Sequence, residues 1–136
     1  MDYIKMNLPA LNRFATDYMN GTLKKGDFFQ YDWQDEGDIL KRAEWLDSKM
    51  FPRDEAASYI EGFMGRFGIS ERSKENIEAL RKDALVIIGG QQAGLLTGPL
   101  YSIHKIISII KLAKEQSEKL KKPVIPVFWI AGEDHD

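Results

Sequence analysis

The chain has 136 residues, a formal net charge of -2, 43% hydrophobic and 29% charged residues, and no cysteine. These values fit one small globular domain, give no reason to expect a nucleic-acid partner, and exclude a disulfide or a cysteine nucleophile. No apolar run approaches the roughly 20 residues that cross a bilayer. The opening, Met1 to Asn7, also lacks a basic region followed by an apolar core, so the reading is of a cytoplasmic protein with no membrane partner.

Leu8-Pro9-Ala10-Leu11 opens a predicted short helix that runs to about Met19, with Pro9 suited to a first turn. Asn20-Gly21 ends it, because both residues tolerate a left-handed backbone. Residues 24–38 mix Phe28, Phe29, Tyr31 and Trp33 with Asp27, Asp32, Asp35, Glu36 and Asp38. Such a segment is either pinned by aromatic anchors or borders a pocket. Asp38 is a candidate N-cap for a helix to about Lys49. Pro52 then separates a helix of about Arg53 to Arg66, closed by Phe67-Gly68. Ser70 caps a further helix to about Arg81, with Ile77 and Leu80 facing inward. None of these helices carries an obvious catalytic constellation.

The last third of the chain reads as one β-α-β unit. Ala84 to Ile88 has no polar alternation, as in a parallel strand covered on both faces. Gly89-Gly90 is expected to end the strand. A helix follows from near Gly98 or Pro99 to about Lys121, with Thr97 as its N-cap and Ile103, Ile106, Ile107, Ile110, Ala113 or Lys114, and Leu120 as its covering stripe. Pro123 stops it, and Val124 to Ile130 supplies the second strand. Lys119, Lys121 and Lys122 gather where a helix C-terminus favours cations. The domain division drawn from this is 1–82, mainly helical and packed on the core, and 83–136, the first β-α-β part of a truncated Rossmann-like α/β parallel-sheet core. The last residue sits inside a polar cluster at a strand end, where open α/β sheets bind ligands, so the chain reads as the N-terminal piece of a larger enzyme.

Two stretches could carry chemistry. The first is Gly89-Gly90-Gln91-Gln92-Ala93-Gly94-Leu95-Leu96-Thr97-Gly98-Pro99. Glycines let a backbone approach a ligand closely, and a following helix offers unpaired amides to an anion. Gln91, Gln92 and Thr97 add neutral hydrogen bonds. The spacing matches neither the dinucleotide fingerprint nor a P-loop. The open alternatives are a phosphate, nucleotide or carboxylate site built from Gly89, Gly90, Gln91, Gln92, Gly94, Thr97 and Gly98, and a purely structural turn. Tyr101, His104 and Lys105 lie close to one face of the next helix. His104 and Lys105 suit an anion, or alternatively face solvent. The second stretch is Glu133-Asp134-His135-Asp136. His135 is the best proton-transfer candidate, with Asp134 and Asp136 to orient it or to hold a cation, no particular metal being assigned. The alternative is a solvated acidic turn.

The two blocks, Gly89 to Tyr101 with Lys105 and Pro126 to Asp136, resemble the bacillithiol biosynthesis cysteine-adding enzyme family. The opening residues and the helical segments are also similar, so the resemblance covers essentially the whole chain. It implies a longer cytoplasmic protein with a Rossmann-like core, inserted connecting domains and a carboxy-terminal coiled coil that supports a homodimer. It also implies a ligase that joins cysteine to the free amine of glucosaminyl-malate, the last step to bacillithiol. A free carboxylate is a poor electrophile, so the chemistry calls for activation, as an adenylate or acyl phosphate; ATP and Mg²⁺ are expected on that ground rather than from a motif. The alternative is a nucleotide- or anion-binding α/β module without catalysis.

Overall fold

The computed structural model describes residues 12–23, 26, 29–95 and 98–132. Among them, five helices and two strands follow in the order α1 (Arg13–Met19), α2 (Glu36–Asp47), α3 (Arg53–Gly65), α4 (Glu71–Lys82), β1 (Leu85–Gln92), α5 (Leu100–Leu120) and β2 (Val124–Ala131). The chain divides into two units, Met1–Trp45 and Leu46–Asp136.

In the first unit, α1 starts at Arg13, because the Asn12 side chain accepts the Ala15 amide at 2.7 Å. The expected start at Leu8 to Leu11 lies outside the described residues. Gly21, at φ 68°, takes the left-handed conformation that closes the helix. Helix α2 begins before Asp38, which is therefore not its cap. The Asp35 carboxylate instead accepts the amides of Gly37 at 2.8 Å and Asp38 at 3.2 Å. Asp38 is buried in the first turn, where its carboxylate accepts the Asp32 amide and the Lys41 ammonium, each at 3.0 Å. Phe29 packs on Tyr18 at 5.1 Å between ring centroids, and Tyr18 reaches Trp33 at 6.4 Å. The hollow these aromatics border is only about 30 Å³, room for water rather than for an organic ligand. The aromatics of this segment act as anchors.

In the second unit, the core consists of Ala57 from α3, Ile77 and Leu80 from α4, Ala84, and Ile125 from β2, flanked by Ile60, Met64, Ile69, Val86 and Val127. Helices α3 and α4 therefore share one core with the strands, and the packing boundary falls after Trp45 rather than after residue 82. Ser70 caps α4 by accepting the Ser73 amide at 3.2 Å. The Arg53 guanidinium donates to the Ala84 carbonyl at 2.8 Å, serving a group at the α4–β1 junction that has no helical partner. Lys122 pairs with Asp47 and lies 3.8 Å from Asp83, so part of the lysine cluster clips the loop after α5 to helix ends.

Strands β1 and β2 are parallel and in register from Leu85↔Val124 to Gln92↔Ala131. Strand β1 thus continues four residues beyond the expected end, and Gly89 and Gly90 belong to the ladder, opposite Phe128 and Trp129. One face of the pair, with Val86 and Val127, lies on the α3–α4 core. The other face carries Gly89 and lies under α5, where a Cβ on Gly89 would sit 2.9 Å from Ile109 Cγ2. Burial on both faces holds only at the beginning of β1. Ala84 and Leu85 are buried, whereas Ile88 is 70% and Trp129 66% exposed.

The covering face of α5 also differs from the expected stripe. Ser102 and Ala113 are its buried residues, with Ile109 between them packed toward Gly89, while Ile103, Ile106, Ile107 and Ile110 are exposed. Gly89 leaves room for the Ile109 side chain to reach the strand, which brings the helix down on the face that carries Ser102, Ile109 and Ala113. Gly89→Val is expected to lower the unfolding free energy by about 1–3 kcal/mol through overpacking against Ile109, measured by urea denaturation. Unchanged stability would contradict this account of the contact.

Candidate functional site

Both strands end at the same edge of the sheet, and the ladder extends one step further through the Ala93 amide to the Ala131 carbonyl at 3.0 Å. The chain then folds sharply. A Cβ on Gly94 would stand 2.5 Å from Gly98 Cα, a distance no side chain tolerates, and Gly98 has φ 75°. These two positions require glycine for conformational reasons. Gly89 and Gly90 have a packing role in β1 instead.

Helix α5 begins at Leu100, with Pro99 at the N-cap and no side-chain cap hydrogen bond. Thr97, the expected cap, lies outside the described residues. Among the described residues, no side chain caps this 21-residue helix, whose start carries the positive end of its dipole.

One polar network ties the strand end to this helix start. Gln91 Nε2 donates to the Tyr101 hydroxyl at 3.3 Å, and Lys105 Nζ donates to Gln91 Oε1 at 2.6 Å. The Lys105 ammonium also lies 5.4 Å from the centroid of the Tyr101 ring. Among the described residues Lys105 has no carboxylate partner. A positive charge therefore sits near the N-terminus of α5, held among the described residues by a neutral amide. The arrangement suits a phosphate or carboxylate.

The remaining candidates are placed as follows. Gln92 is exposed at the last residue of β1 and alternates to the face opposite Gln91. His104 is exposed on α5; its carbonyl accepts the Ser108 hydroxyl at 2.8 Å, and its imidazole takes no part in the Gln91–Tyr101–Lys105 network. Glu133, Asp134, His135 and Asp136 lie outside the described residues, which end at Gly132 just after β2. Among the described residues no group of three or more His, Asp or Glu could hold a metal ion. No helix among them is long and apolar enough to cross a membrane.

Sequence reasoning missed Ser102. It is 5% exposed, and its hydroxyl has no hydrogen-bond partner. The signal was available, since positions 102, 109 and 113 follow one face of a helix. The apolar weight of the isoleucines drew attention to the other face.

Residues 1–136 match the family described as bacillithiol biosynthesis BshC, N-terminal Rossmann-like domain. The chain belongs to the BshC family. It is 48% identical over 137 residues to the protein named "Putative cysteine ligase BshC" from Geobacillus sp. (strain WCH70), covering 100% of this chain and 25% of that protein. The same name is carried by a 47% identical protein of Geobacillus kaustophilus (strain HTA426), with the same coverage. A protein of that name from Lysinibacillus sphaericus (strain C3-41) is 47% identical over 131 residues, or 96% of this chain and 24% of that protein. The chain thus spans about a quarter of the length of these relatives. The parallel β1–α5–β2 arrangement is the Rossmann-like core that the family description names.

Gly94→Ala is expected to displace the turn at Gly98 and to cost about 1–3 kcal/mol of stability. In amide NMR spectra the signals from Gly98 to Ser102 should move while those of Leu85 to Ile88 stay. An unchanged Gly98 signal would contradict the contact.

Proposed function

We propose that this chain is the N-terminal portion of a ligase that joins the carboxylate of cysteine to the free amine of glucosaminyl-malate, the last step of bacillithiol formation. The observation that carries the reading is Lys105. Its charge stands in the second turn of α5, and among the described residues it is paired only with the neutral Gln91 and no side chain caps the helix. Relatives that match the full chain at 46–48% identity bear the name cysteine ligase, which supports the same reaction class.

Both proposed substrates carry carboxylates, and a nucleotide carries phosphates. The first turn of α5 and Lys105 fit either group. When bound, ATP with Mg²⁺ supplies the activation that makes a carboxylate an electrophile. The residues that would hold the phosphate are Lys105 and the amides at the start of α5, with Gly94 and Gly98 shaping the turn beside them. The described residues offer no cation cluster, so Mg²⁺ would draw on the Asp134–Asp136 segment or on other parts of the whole protein.

The chain's own work is then electrostatic and positional. Lys105 neutralises the anion, and Gln91 and Tyr101 hold Lys105 at the strand end. In this proposal His135 accepts the proton released when the glucosamine nitrogen attacks, with Asp134 or Asp136 orienting its ring. The whole protein is proposed to act as a cytoplasmic homodimer.

The test is a mass-spectrometric assay of the whole protein with glucosaminyl-malate, cysteine, ATP and Mg²⁺. Bacillithiol should form, and omission of ATP should abolish it. Lys105→Met and His135→Ala should each lower turnover at least tenfold while circular dichroism stays native. Normal turnover by both folded variants would overturn these roles, and no product from folded wild type with any nucleoside triphosphate would overturn the ligase reading.

A further inference from the structure

We infer that the buried hydroxyl of Ser102 is a ligand group of the oxyanion site at the start of α5, an inference that rests on the site proposed above. Ser102 is the third residue of the helix and is 5% exposed, and its Oγ has no hydrogen-bond partner. A buried hydroxyl without a partner is destabilising, a cost that an alanine in the same place avoids. Packing alone therefore does not account for the residue, and Ala113 on the same face shows what packing alone accepts.

The other serines of α5 behave differently. Ser108 donates to the His104 carbonyl and Ser117 to the Lys122 carbonyl, each at 2.8 Å. The residue four before Ser102 is Gly98, which has φ 75° and lies outside the helix, so the usual carbonyl partner is not in place. Instead the hydroxyl sits under the turn. A Cβ on Gly98 would lie 3.5 Å from Ser102 Oγ and 3.6 Å from Gly94 Cα. Both neighbours are glycines, so neither puts a side chain over it.

These placements assign a role. The Ser102 amide already donates to the Pro99 carbonyl at 2.9 Å, so the residue can offer an incoming anion only its hydroxyl. In this role Ser102 Oγ–H donates to a phosphate or carboxylate oxygen held at the first turn of α5. Lys105 supplies the charge from one turn further along. No bond is made or broken, and the hydroxyl is a binding group, not a nucleophile.

The experiment measures the affinity of the whole protein for inorganic phosphate and for L-malate by calorimetry, in wild type, Ser102→Ala and Lys105→Met, with the ligand-free melting temperature of each. Ser102→Ala is expected to weaken one of the two anions about tenfold or more while melting at the same or a higher temperature. Loss confined to phosphate identifies a phosphoryl site, and loss confined to malate a carboxylate site. If Lys105→Met weakens binding and Ser102→Ala does not, the Ser102 inference fails and the site reading stands. If wild type binds neither anion, or Lys105→Met changes nothing, the site reading fails and takes the inference with it. A lower melting temperature for Ser102→Ala with unchanged affinity would show a structural role and overturn the inference.

Discussion

The contact of α5 with β1 at Gly89 sets the geometry on which the site depends. Ile109 fills the space where any other residue would carry its Cβ, which fixes how near the helix lies to the strand. From that point the strand climbs about 6.6 Å over two residues to Gln91. The helix, followed back from Ile109, climbs about 6 Å over four residues to Lys105. The two distances match, and Gln91 meets Lys105 at 2.6 Å. The polar network at the sheet edge is thus a consequence of an apolar contact one turn below it.

The apolar surface that remains exposed has a pattern. On α5 the isoleucines at 103, 106, 107 and 110 are partly exposed, and on the strands Ile88 and Trp129 stand open beyond the α3–α4 core. On α3 a further row, Tyr59 and Phe63, is exposed opposite the buried Ala57, and Phe67 follows just beyond the helix end. Together these residues leave a good deal of apolar surface in water. The relatives that match this chain are about four times as long, and the two facts agree.

Much of the fold was legible because its signals are local. Ser70 and Gly21 act through their own backbone neighbourhoods, and α4 with its inward Ile77 and Leu80 follows from the helical period. The β-α-β unit was equally readable from two apolar runs and a long helix between them. Three features were not. The extension of β1 through Gly89 and Gly90 depends on pairing with β2, which a glycine pair does not advertise. The start of α2 depends on Asp35, one of several nearby acids of equal capping ability. The expected stripe of α5 holds at Ala113 and Leu120 but not at its isoleucines, because Gly89 takes Ile109, a position outside that stripe, as its contact. At the site, spacing could bring Tyr101 and Lys105 together, but only the register of β1 shows that Gln91 is their partner. Ser102 was hidden by the same preference for large apolar residues.

The most direct test is a crystal structure of the whole protein with glucosaminyl-malate and a non-hydrolysable ATP analogue. The account predicts a carboxylate or phosphate oxygen seated on the first turn of α5, within about 3.2 Å of Lys105 Nζ. Both ligands bound elsewhere, with Lys105 still held by Gln91 alone, would contradict it.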